Sequence, residues 1–477
     1  MTRMSRLLAT TALAAFVAAL PAPAMAQDIG DAEAQSMREE IRALRARLEA
    51  LESRLAIGAD GTGAQASNDA STPASTSPIQ AATPVASEQP VAKPSTKIAW
   101  KGSPQFTEGD KQFKVKGRIQ ADANYVSAPS SLADKGLGFS NEVRRIRLGA
   151  QGKLGAGFGY KLELELSDNS VDLVDTYLSY SKGPWLVTLG NQNSFQSLDE
   201  LTGDTTGSVM ERAAFTDAFN FERRLGLAAQ YSRGPWLAQA GVFTDDIKAL
   251  SNSSDGTKGG DENNSISFDG RLVFAPKIGE TQLHFGGSAH WRKLNRLEDS
   301  TTIYGQRPLV HSTNTRLIGT PAMNLSDETH YGLELAAISG RWHGVGEVHV
   351  QRANRIGQPD VTFRGAYAEV GYFITSGDSR GYKDGVFTSS APAHPLGEDG
   401  IGSIQVNLRY DWLDLNSRDI RGGTQNGYIV GLIWSPIQNL RFNVNYALLD
   451  YSGATALPSG DRDYNAQVIG TRFELDF

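Results

Sequence analysis

The feature that most constrains the fold is an alternation of polar and apolar residues that begins near Phe113 and continues to Phe477. In the segment YKLELELS, Tyr160 and every second residue after it are apolar, whereas Lys161 and the glutamates between them are charged. Segments of ~10 residues with this period, separated by turn residues, are typical of transmembrane strands that meet lipid on one face and water on the other. The pattern therefore predicts a barrel around a wet lumen.

Sixteen such segments can be counted, and an even number suits a bacterial barrel. Their predicted positions are 113–126, 143–154, 159–168, 171–181, 185–191, 222–232, 236–246, 265–275, 281–293, 329–338, 342–352, 362–375, 401–413, 425–435, 439–450 and 465–477. The predicted fold is all-β, a 16-stranded antiparallel transmembrane β-barrel over residues 98–477. The connections are expected to alternate between long external loops and short periplasmic turns, with one long exception on the periplasmic side at 376–400.

Both termini suggest the compartment. Residues 1–26 fit an export signal, because basic Arg3 and Arg6 precede an apolar run and an A-x-A cleavage site ends at Ala26. At the other end, TRFELDF places Phe473 and Phe477 on one face of a strand, as expected of a final barrel strand that pairs with the first strand. The predicted location is the outer membrane of a Gram-negative cell.

The segment between the signal and the barrel divides into two parts. Residues 27–57 contain a seam of apolar residues at heptad spacing, which predicts a short coiled-coil helix in the periplasm; a solitary amphipathic helix is the alternative, since fewer than three repeats are present. The seam residues are Met37, Ile41, Leu44, Leu48, Leu51 and Leu55. Residues 58–97 are rich in Ala, Ser, Thr and Pro and are expected to form a flexible linker.

Composition and motifs argue against several other functions. Loss of Arg3 and Arg6 with the signal changes the formal charge from −7 to −9, so a nucleic-acid partner is not expected. The chain has no cysteine, its seven histidines lack metal-ligand spacing, and no serine lies in a G-x-S-x-G elbow. We therefore expect no enzyme activity, no metal and no cofactor.

Several motifs, taken in order, resemble one known family. They are GRIQADANY at 117–125, NEVRRIRLGAQG at 141–152, YKLELELS, VDTYLSY before a tight turn, and LDELT and VMERA in the third external loop, about 192–221. Together they resemble the phosphate-selective porin O/P family, most strongly between Lys114 and Tyr231.

That resemblance implies a homotrimeric outer-membrane pore in which lumen arginines guide small anions to a constriction. The positions that match the family's anion path are Arg118, Arg144, Arg145, Lys161 and Arg212. Phe477 matches the signal that the barrel-assembly machinery recognises in proteins of this kind. A guanidinium suits such a path because it replaces the water that an anion sheds in a narrow zone with charge-assisted hydrogen bonds.

Two features of the sequence leave the selectivity open. Further arginines could extend the path; they are Arg223, Arg224, Arg292 and Arg316. The lumen arginines could instead pair with carboxylates, for which the candidates are Glu163, Glu165, Asp172 and Asp175. The third loop also carries Asp199, Glu200 and Asp204, with no cation before Arg212, where strictly phosphate-selective members have lysines. Three carboxylates at a constriction would repel phosphate, so we expect weak or altered anion selectivity. The alternatives are a general, non-selective porin with an acidic constriction loop and, third, a structural outer-membrane anchor.

Overall fold

The computed structural model describes residues 96–132, 137–167, 169–247, 265–294 and 301–477. The predicted signal peptide, the coiled-coil helix and nearly all of the linker lie outside these residues. Among the described residues, no helix is long and apolar enough to cross a membrane.

Sixteen strands of the described residues form one closed sheet. They are β1 Lys111–Ser127, β2 Gly138–Gly155, β3 Phe158–Glu165, β4 Asp172–Lys182, β5 Trp185–Asn193, β6 Arg223–Arg233, β7 Trp236–Phe243, β8 Ile266–Phe274, β9 Thr281–Lys293, β10 Leu325–Ser339, β11 Trp342–Arg355, β12 Val361–Phe373, β13 Ser403–Ser417, β14 Ile420–Ile437, β15 Leu440–Ser452 and β16 Tyr464–Asp476. Each strand overlaps one of the predicted segments.

The barrel closes where the last strand meets the first. β16 pairs antiparallel with β1, from Gln467 opposite Ser127 to Asp476 opposite Arg118. Phe477 extends the pairing by two backbone hydrogen bonds of 2.9 Å with Gly117. The prediction of a closed, 16-stranded antiparallel barrel is confirmed, and it places alternate side chains of each strand in the lumen.

The outer surface is apolar and ends in aromatic pairs beside the short turns. Leu148 and Leu162 are 47% and 42% exposed on this surface, opposite the charged side chains of β2 and β3. Trp185 packs on Tyr231 with ring centroids 4.8 Å apart. Aromatic belts of this kind mark the membrane interface, so we assign the side of the short turns, where β1 begins and β16 ends, to the periplasm.

The external connections differ from the prediction in one respect. The links 356–360 and 418–419 are tight although they lie on the external side, so the expected alternation of long and short connections is wrong there. The strands continue further than predicted because Leu415 and Ile420 are buried inside the barrel. The adjacent Gly423, at φ +90°, continues β14 in a conformation that glycine adopts readily, rather than ending it.

Of the connecting segments, three fold into the lumen within the described residues. Loop 3 (194–222) contains α1 Leu198–Leu201, a 3₁₀ turn at Asp204–Thr206 and α2 Ala214–Ala218. Loop 5 (294–324, described at Leu294 and from residue 301) contains paired strands Gly305–Gln306 and Ile318–Gly319. The periplasmic insert (374–402) contains a hairpin of Gly381–Lys383 and Val386–Thr388. Since Phe215, Tyr304 and Leu317 are fully buried, loops 3 and 5 fill part of the lumen with an apolar core.

Two further short elements lie near the periplasmic rim. The N-terminal hairpin, strands Lys97–Trp100 and Pro104–Glu108, pairs with the start of β1. Lys277–Ile278 adds a short pairing to β9.

Candidate functional site: the lumen constriction at loop 3

Loop 3 is held against the barrel wall by a buried carboxylate. Glu347 on β11 accepts hydrogen bonds from the Ser197 hydroxyl at 2.9 Å and from the amides of Leu198 and Asp199 at 3.0 and 2.7 Å. These amides are unpaired donors at the start of α1, where a negative charge is stabilising. Further along the loop, Phe215 stacks on the His349 ring with centroids 4.1 Å apart. Loop 3 therefore folds inward across the lumen.

Two arginines support the central turn of loop 3 from the periplasmic side. Arg380 of the periplasmic insert donates to the Thr206 carbonyl at 2.5 Å and to the Ser208 hydroxyl. Arg441 on β15 donates to the carbonyls of Thr205, at 2.5 Å, and Gly207. The turn is thus fixed by groups that come from distant parts of the chain.

Three of the predicted path cations line the wall that faces this turn. Arg118 and Arg145 both form ion pairs with Asp204, and the Arg145–Asp204 distance is 2.5 Å. Arg144 approaches Glu211 at 3.7 Å, beyond hydrogen-bond distance. The structure therefore brings Arg118, Arg144 and Arg145 together at the constriction, and each contacts a carboxylate of loop 3.

The other two predicted path cations have local partners. Lys161 lies 2.7 Å from Glu163 and 2.5 Å from Asp175. Arg212 binds Glu200 at 3.1 Å and also donates to the carbonyls of Asp199, Glu200 and Thr202. Arg212 thereby closes loop 3 on itself.

Each acidic residue of loop 3 that the sequence singled out faces an arginine. Asp199 contacts Arg409 of β13 at 3.2 Å and accepts from the Ala213 amide at 2.8 Å. Glu200 is 6% exposed and pairs with Arg212. Asp204 lies between Arg118 and Arg145. The three carboxylates thus enter the constriction as members of ion pairs, not as free charges.

The surroundings change the acidity of these groups in opposite directions. Burial alone would raise the pKa of Asp204, but the Arg145 and Arg118 guanidiniums outweigh it and hold the pKa well below its usual value. Burial would likewise raise the pKa of Glu211, but the guanidiniums of Arg144 and Arg472 outweigh burial, and the pKa falls to about 2. For Glu200, burial prevails and raises the pKa. Asp204 and Glu211 therefore stay charged at neutral and mildly acidic pH.

The additional arginines considered from the sequence are mostly paired. Arg223 binds Asp175 at 2.6 Å, Arg292 binds Asp245, and Arg316 approaches Asp217 at 4.0 Å. Arg224 is 2% exposed, and its Nε and Nη1 atoms have no hydrogen-bond partner among the described residues.

Among the described residues, five arginines that hold loop 3 were not identified from the sequence. They are Arg307 of loop 5, Arg380, Arg409, Arg441 and Arg472. Three of them lie on barrel strands, where alternation placed them in the lumen but gave no reason to connect them with a loop some 200 residues earlier. Arg380 lies in the periplasmic insert, for which the sequence gave no inward direction.

A cavity of about 270 Å³ opens beside loop 3, enough for roughly nine waters at ~30 Å³ each. Six arginines and six carboxylates line it: Arg144, Arg145, Arg212, Arg307, Arg409 and Arg472, with Asp199, Glu200, Asp204, Glu211, Asp217 and Glu222. Within the described residues, no group of three or more histidine or acidic side chains could hold a metal ion. The site is a strongly charged cavity beside loop 3.

Comparison with known proteins identifies the family. The family model "Phosphate-selective porin O and P" matches residues 113–477, from the third residue of β1 to Phe477. The chain belongs to the phosphate-selective porin O and P family. As a porin of this family it is an outer-membrane channel protein, and the family and fold point to a channel rather than an enzyme.

Similar proteins cover most of this porin. A protein of Caulobacter vibrioides, described as an uncharacterized protein, is 57% identical over 470 residues, 98% of this chain and 95% of the relative. Among solved structures, an anion-selective porin from Comamonas acidovorans is 13% identical, with a TM-score of 0.49 and coverage of 77% and 100%. The outer-membrane channel DcaP of Acinetobacter baumannii is 14% identical, with a TM-score of 0.45 and coverage of 78% and 99%.

Proposed function

We propose that the protein is a passive outer-membrane channel for small hydrophilic solutes, with a modest preference for anions such as phosphate. The observation that carries this proposal is that Asp204, the carboxylate at the loop 3 turn, faces two guanidiniums at once, Arg118 and Arg145. One carboxylate cannot neutralise two cations. By itself the trio carries one net positive charge.

The charge of this trio acts through short distances and low-dielectric walls. Unit charges ~4 Å apart interact by about 1 kcal/mol even at the dielectric constant of water, and more strongly near protein. A lumen enclosed by apolar strands focuses this field on the passing ion. An acidic protein can therefore favour anions locally.

Ion pairing also explains how a channel with an acidic loop 3 could still admit anions. Because Asp199 and Glu200 each have an arginine at 3.1–3.2 Å, they repel an anion less than three free carboxylates would. We accordingly propose weak selectivity instead of tight phosphate binding.

The second candidate is a general, non-selective porin. It is favoured by the equal number of arginines and carboxylates that line the cavity. In that case the pairs only narrow the passage and hold loop 3, and neutral solutes, cations and anions pass according to size.

The decisive experiment is the zero-current potential of the purified porin in a planar bilayer across a KCl gradient, repeated with phosphate added. Anion preference together with block of the chloride current by phosphate would support the first proposal. A potential near zero or of cationic sign, without block, would support the second.

Two variants sharpen this measurement. Arg145→Gln should lower the chloride-to-potassium permeability ratio by roughly fivefold, the equivalent of about 1 kcal/mol. Arg352→Gln is the matched control, because Arg352 is 56% exposed at the external rim and pairs with Asp360 at 2.8 Å. Equal effects of the two substitutions would argue against a role for the Asp204 trio.

The remaining assignments are proposals of the same kind. We propose that residues 1–26 are removed on export, that the barrel-assembly machinery reads Phe477, and that three copies associate with the help of a periplasmic coiled coil at 27–57. Mass spectrometry of the mature N-terminus, expected at Gln27, tests the first of these.

A further inference from the structure

The N-terminal hairpin occupies a place in the sheet that no barrel strand fills. β16 pairs with β1 only as far as Arg118, with Phe477 reaching Gly117. Below that point the same edge of β1 pairs with the hairpin instead, from Gln105 opposite Lys114 to Glu108 opposite Lys111. The hairpin precedes residues 113–477, the part that matches the porin family.

The hairpin is fixed firmly to the barrel rim. The Ser103 hydroxyl, 1% exposed, donates to the Val115 carbonyl at 2.5 Å. Lys114 donates to the Lys101 carbonyl at 2.7 Å. A Cβ at Gly102 would lie only 2.5 Å from the side chain of Asn439 in the β14–β15 turn. The hairpin thus has a defined position beside the periplasmic turns.

One face of the hairpin continues the lipid-facing surface of β1. Paired residues share a face of a sheet, and the register places Ile98 opposite Phe106 and Phe106 opposite Phe113. Phe113 lies on the outward row of β1. Ile98 and Trp100 are 70% and 76% exposed, far more than side chains of this size show when they pack within a domain.

This face also fills a gap in the aromatic belt at the periplasmic rim. Aromatic pairs cover the rim on most other strands, for example Phe158–Tyr180 on β3 and β4, at 4.9 Å, and Phe442–Phe473 on β15 and β16, at 5.6 Å. Between β16 and β3 the belt is continued by the Phe106–Phe113 pair, with ring centroids 6.1 Å apart, and by Trp100 beside it.

We propose that the N-terminal hairpin is a membrane-interface anchor whose outer face, Ile98, Trp100 and Phe106, lies among the phospholipids of the inner leaflet of the outer membrane. The occupant is a lipid surface because the hairpin continues the apolar outward row of β1, and a transmembrane barrel turns such a row toward lipid. Tryptophan settles at such an interface since its ring is amphipathic. The exposed Lys97, Lys101 and Lys111 can reach phosphate headgroups, although Glu108 and Asp110 lie nearby.

The absence of cysteine from the chain makes the test direct. Nitroxide spin labels are attached to Ile98→Cys, Trp100→Cys and, as the matched control on the opposite face, Ala99→Cys, in the full-length porin. The probes are molecular oxygen and a water-soluble nickel chelate, with the porin in vesicles of phosphatidylethanolamine and phosphatidylglycerol. We expect the ratio of oxygen to nickel collisions to be several-fold higher at positions 98 and 100 than at 99.

Two results would overturn the anchor. Free access of the nickel chelate to all three labels would show a hairpin exposed to the periplasm. Low access of both probes at 98 and 100, with spin–spin broadening between protomers, would show that a second copy of the chain covers the face. Ile98→Cys retains Trp100, so a failure seen only with Trp100→Cys would reflect loss of the tryptophan, and the label at 98 would then decide.

Discussion

Single residues of the lumen act through shared ion pairs. Asp204 faces Arg118 and Arg145, and Glu211 lies near Arg472 at 2.6 Å and Arg144 at 3.7 Å. A carboxylate between two guanidiniums keeps its charge because both neighbours favour the ionised form. The proposed preference for anions therefore depends on how arginines are placed around single carboxylates such as Asp204 and not on the net charge of the chain.

The charge of Asp204 gives a pH-dependent prediction. Asp204→Asn removes a negative charge beside the passage and should raise the anion-to-cation permeability ratio at neutral pH by roughly fivefold, about 1 kcal/mol. Because the folded pKa of Asp204 is lowered, its ion pairs persist above that pKa and are lost as pH falls through it. The difference between variant and parent in zero-current potential should therefore persist at about pH 4.

The comparison of variant with parent at each pH cancels the titration of other carboxylates. Asp360→Asn, in the short external link 356–360, is the matched control and should leave the potential unchanged. If the difference caused by Asp204→Asn fell by half near pH 4, Asp204 would have an ordinary pKa and the paired arrangement would be wrong.

Closure of the barrel depends on one small residue. A Cβ at Gly117 would lie 2.1 Å from the Phe477 ring, so Gly117→Ala must displace that ring. Because only a terminal side chain has to move, we expect slower assembly into the heat-modifiable form on gels and an unchanged single-channel conductance. Gly270→Ala, where the nearest atom is 3.9 Å away, should assemble like the parent. Equal assembly rates for both variants would contradict a role for the Phe477 ring in barrel closure.

At the scale of elements, strands could be predicted from the sequence and inward-folding segments could not. β9 has the predicted bounds, 281–293, because the polarity of a strand repeats every two residues and is a local property. The path of loop 3 depends on Glu347, about 150 residues later, and local sequence does not encode such a contact. The same holds for the periplasmic insert.

In the candidate site, too, single residues could be predicted from the sequence but contacts between distant segments could not. Arg118, Arg145 and Asp204 were each singled out from the sequence, but their mutual pairing was not, because it requires loop 3 to cross the lumen. Arg409 and Arg472 were missed since a lumen arginine on a strand has no sequence signal that distinguishes a loop anchor from a path residue. The roles of Arg118, Arg145 and Asp204 in conduction stay predictions.

The anchoring of loop 3 can be tested through Glu347. Glu347→Ala leaves the donors at Ser197, Leu198 and Asp199 without their acceptor, at a cost of roughly 1–3 kcal/mol for each buried group. We expect loop 3 to loosen, which should increase single-channel conductance and current noise, while the barrel keeps its heat-modifiable mobility. Glu280→Ala, in the exposed β8–β9 turn, is the control. Unchanged conductance in Glu347→Ala would show that loop 3 does not limit the flow.

At the scale of the whole molecule, the lumen is narrowed from both ends. Loops 3 and 5 enter from the external side, and the periplasmic insert reaches loop 3 from below through Arg380. The insert also contacts the wall, where Arg271 donates to the Gly385 carbonyl at 2.8 Å and Tyr382 lies 2.6 Å from His284. Conductance per barrel should therefore be set inside each barrel, by these segments, and be independent of how barrels associate.

This separation predicts the effect of removing the N-terminal segment. Deletion of 27–57 should leave single-channel conductance per barrel unchanged, because β1–β16 close without it. If the predicted coiled coil joins three barrels, the same deletion should lower the temperature at which trimers dissociate in detergent, measured by gel mobility. Deletion of 58–88 removes a linker segment of equal length and should preserve that temperature. A trimer of unchanged heat resistance after loss of 27–57 would remove the oligomerising role and favour a solitary helix, whereas a changed conductance would mean that the segment reaches the pore.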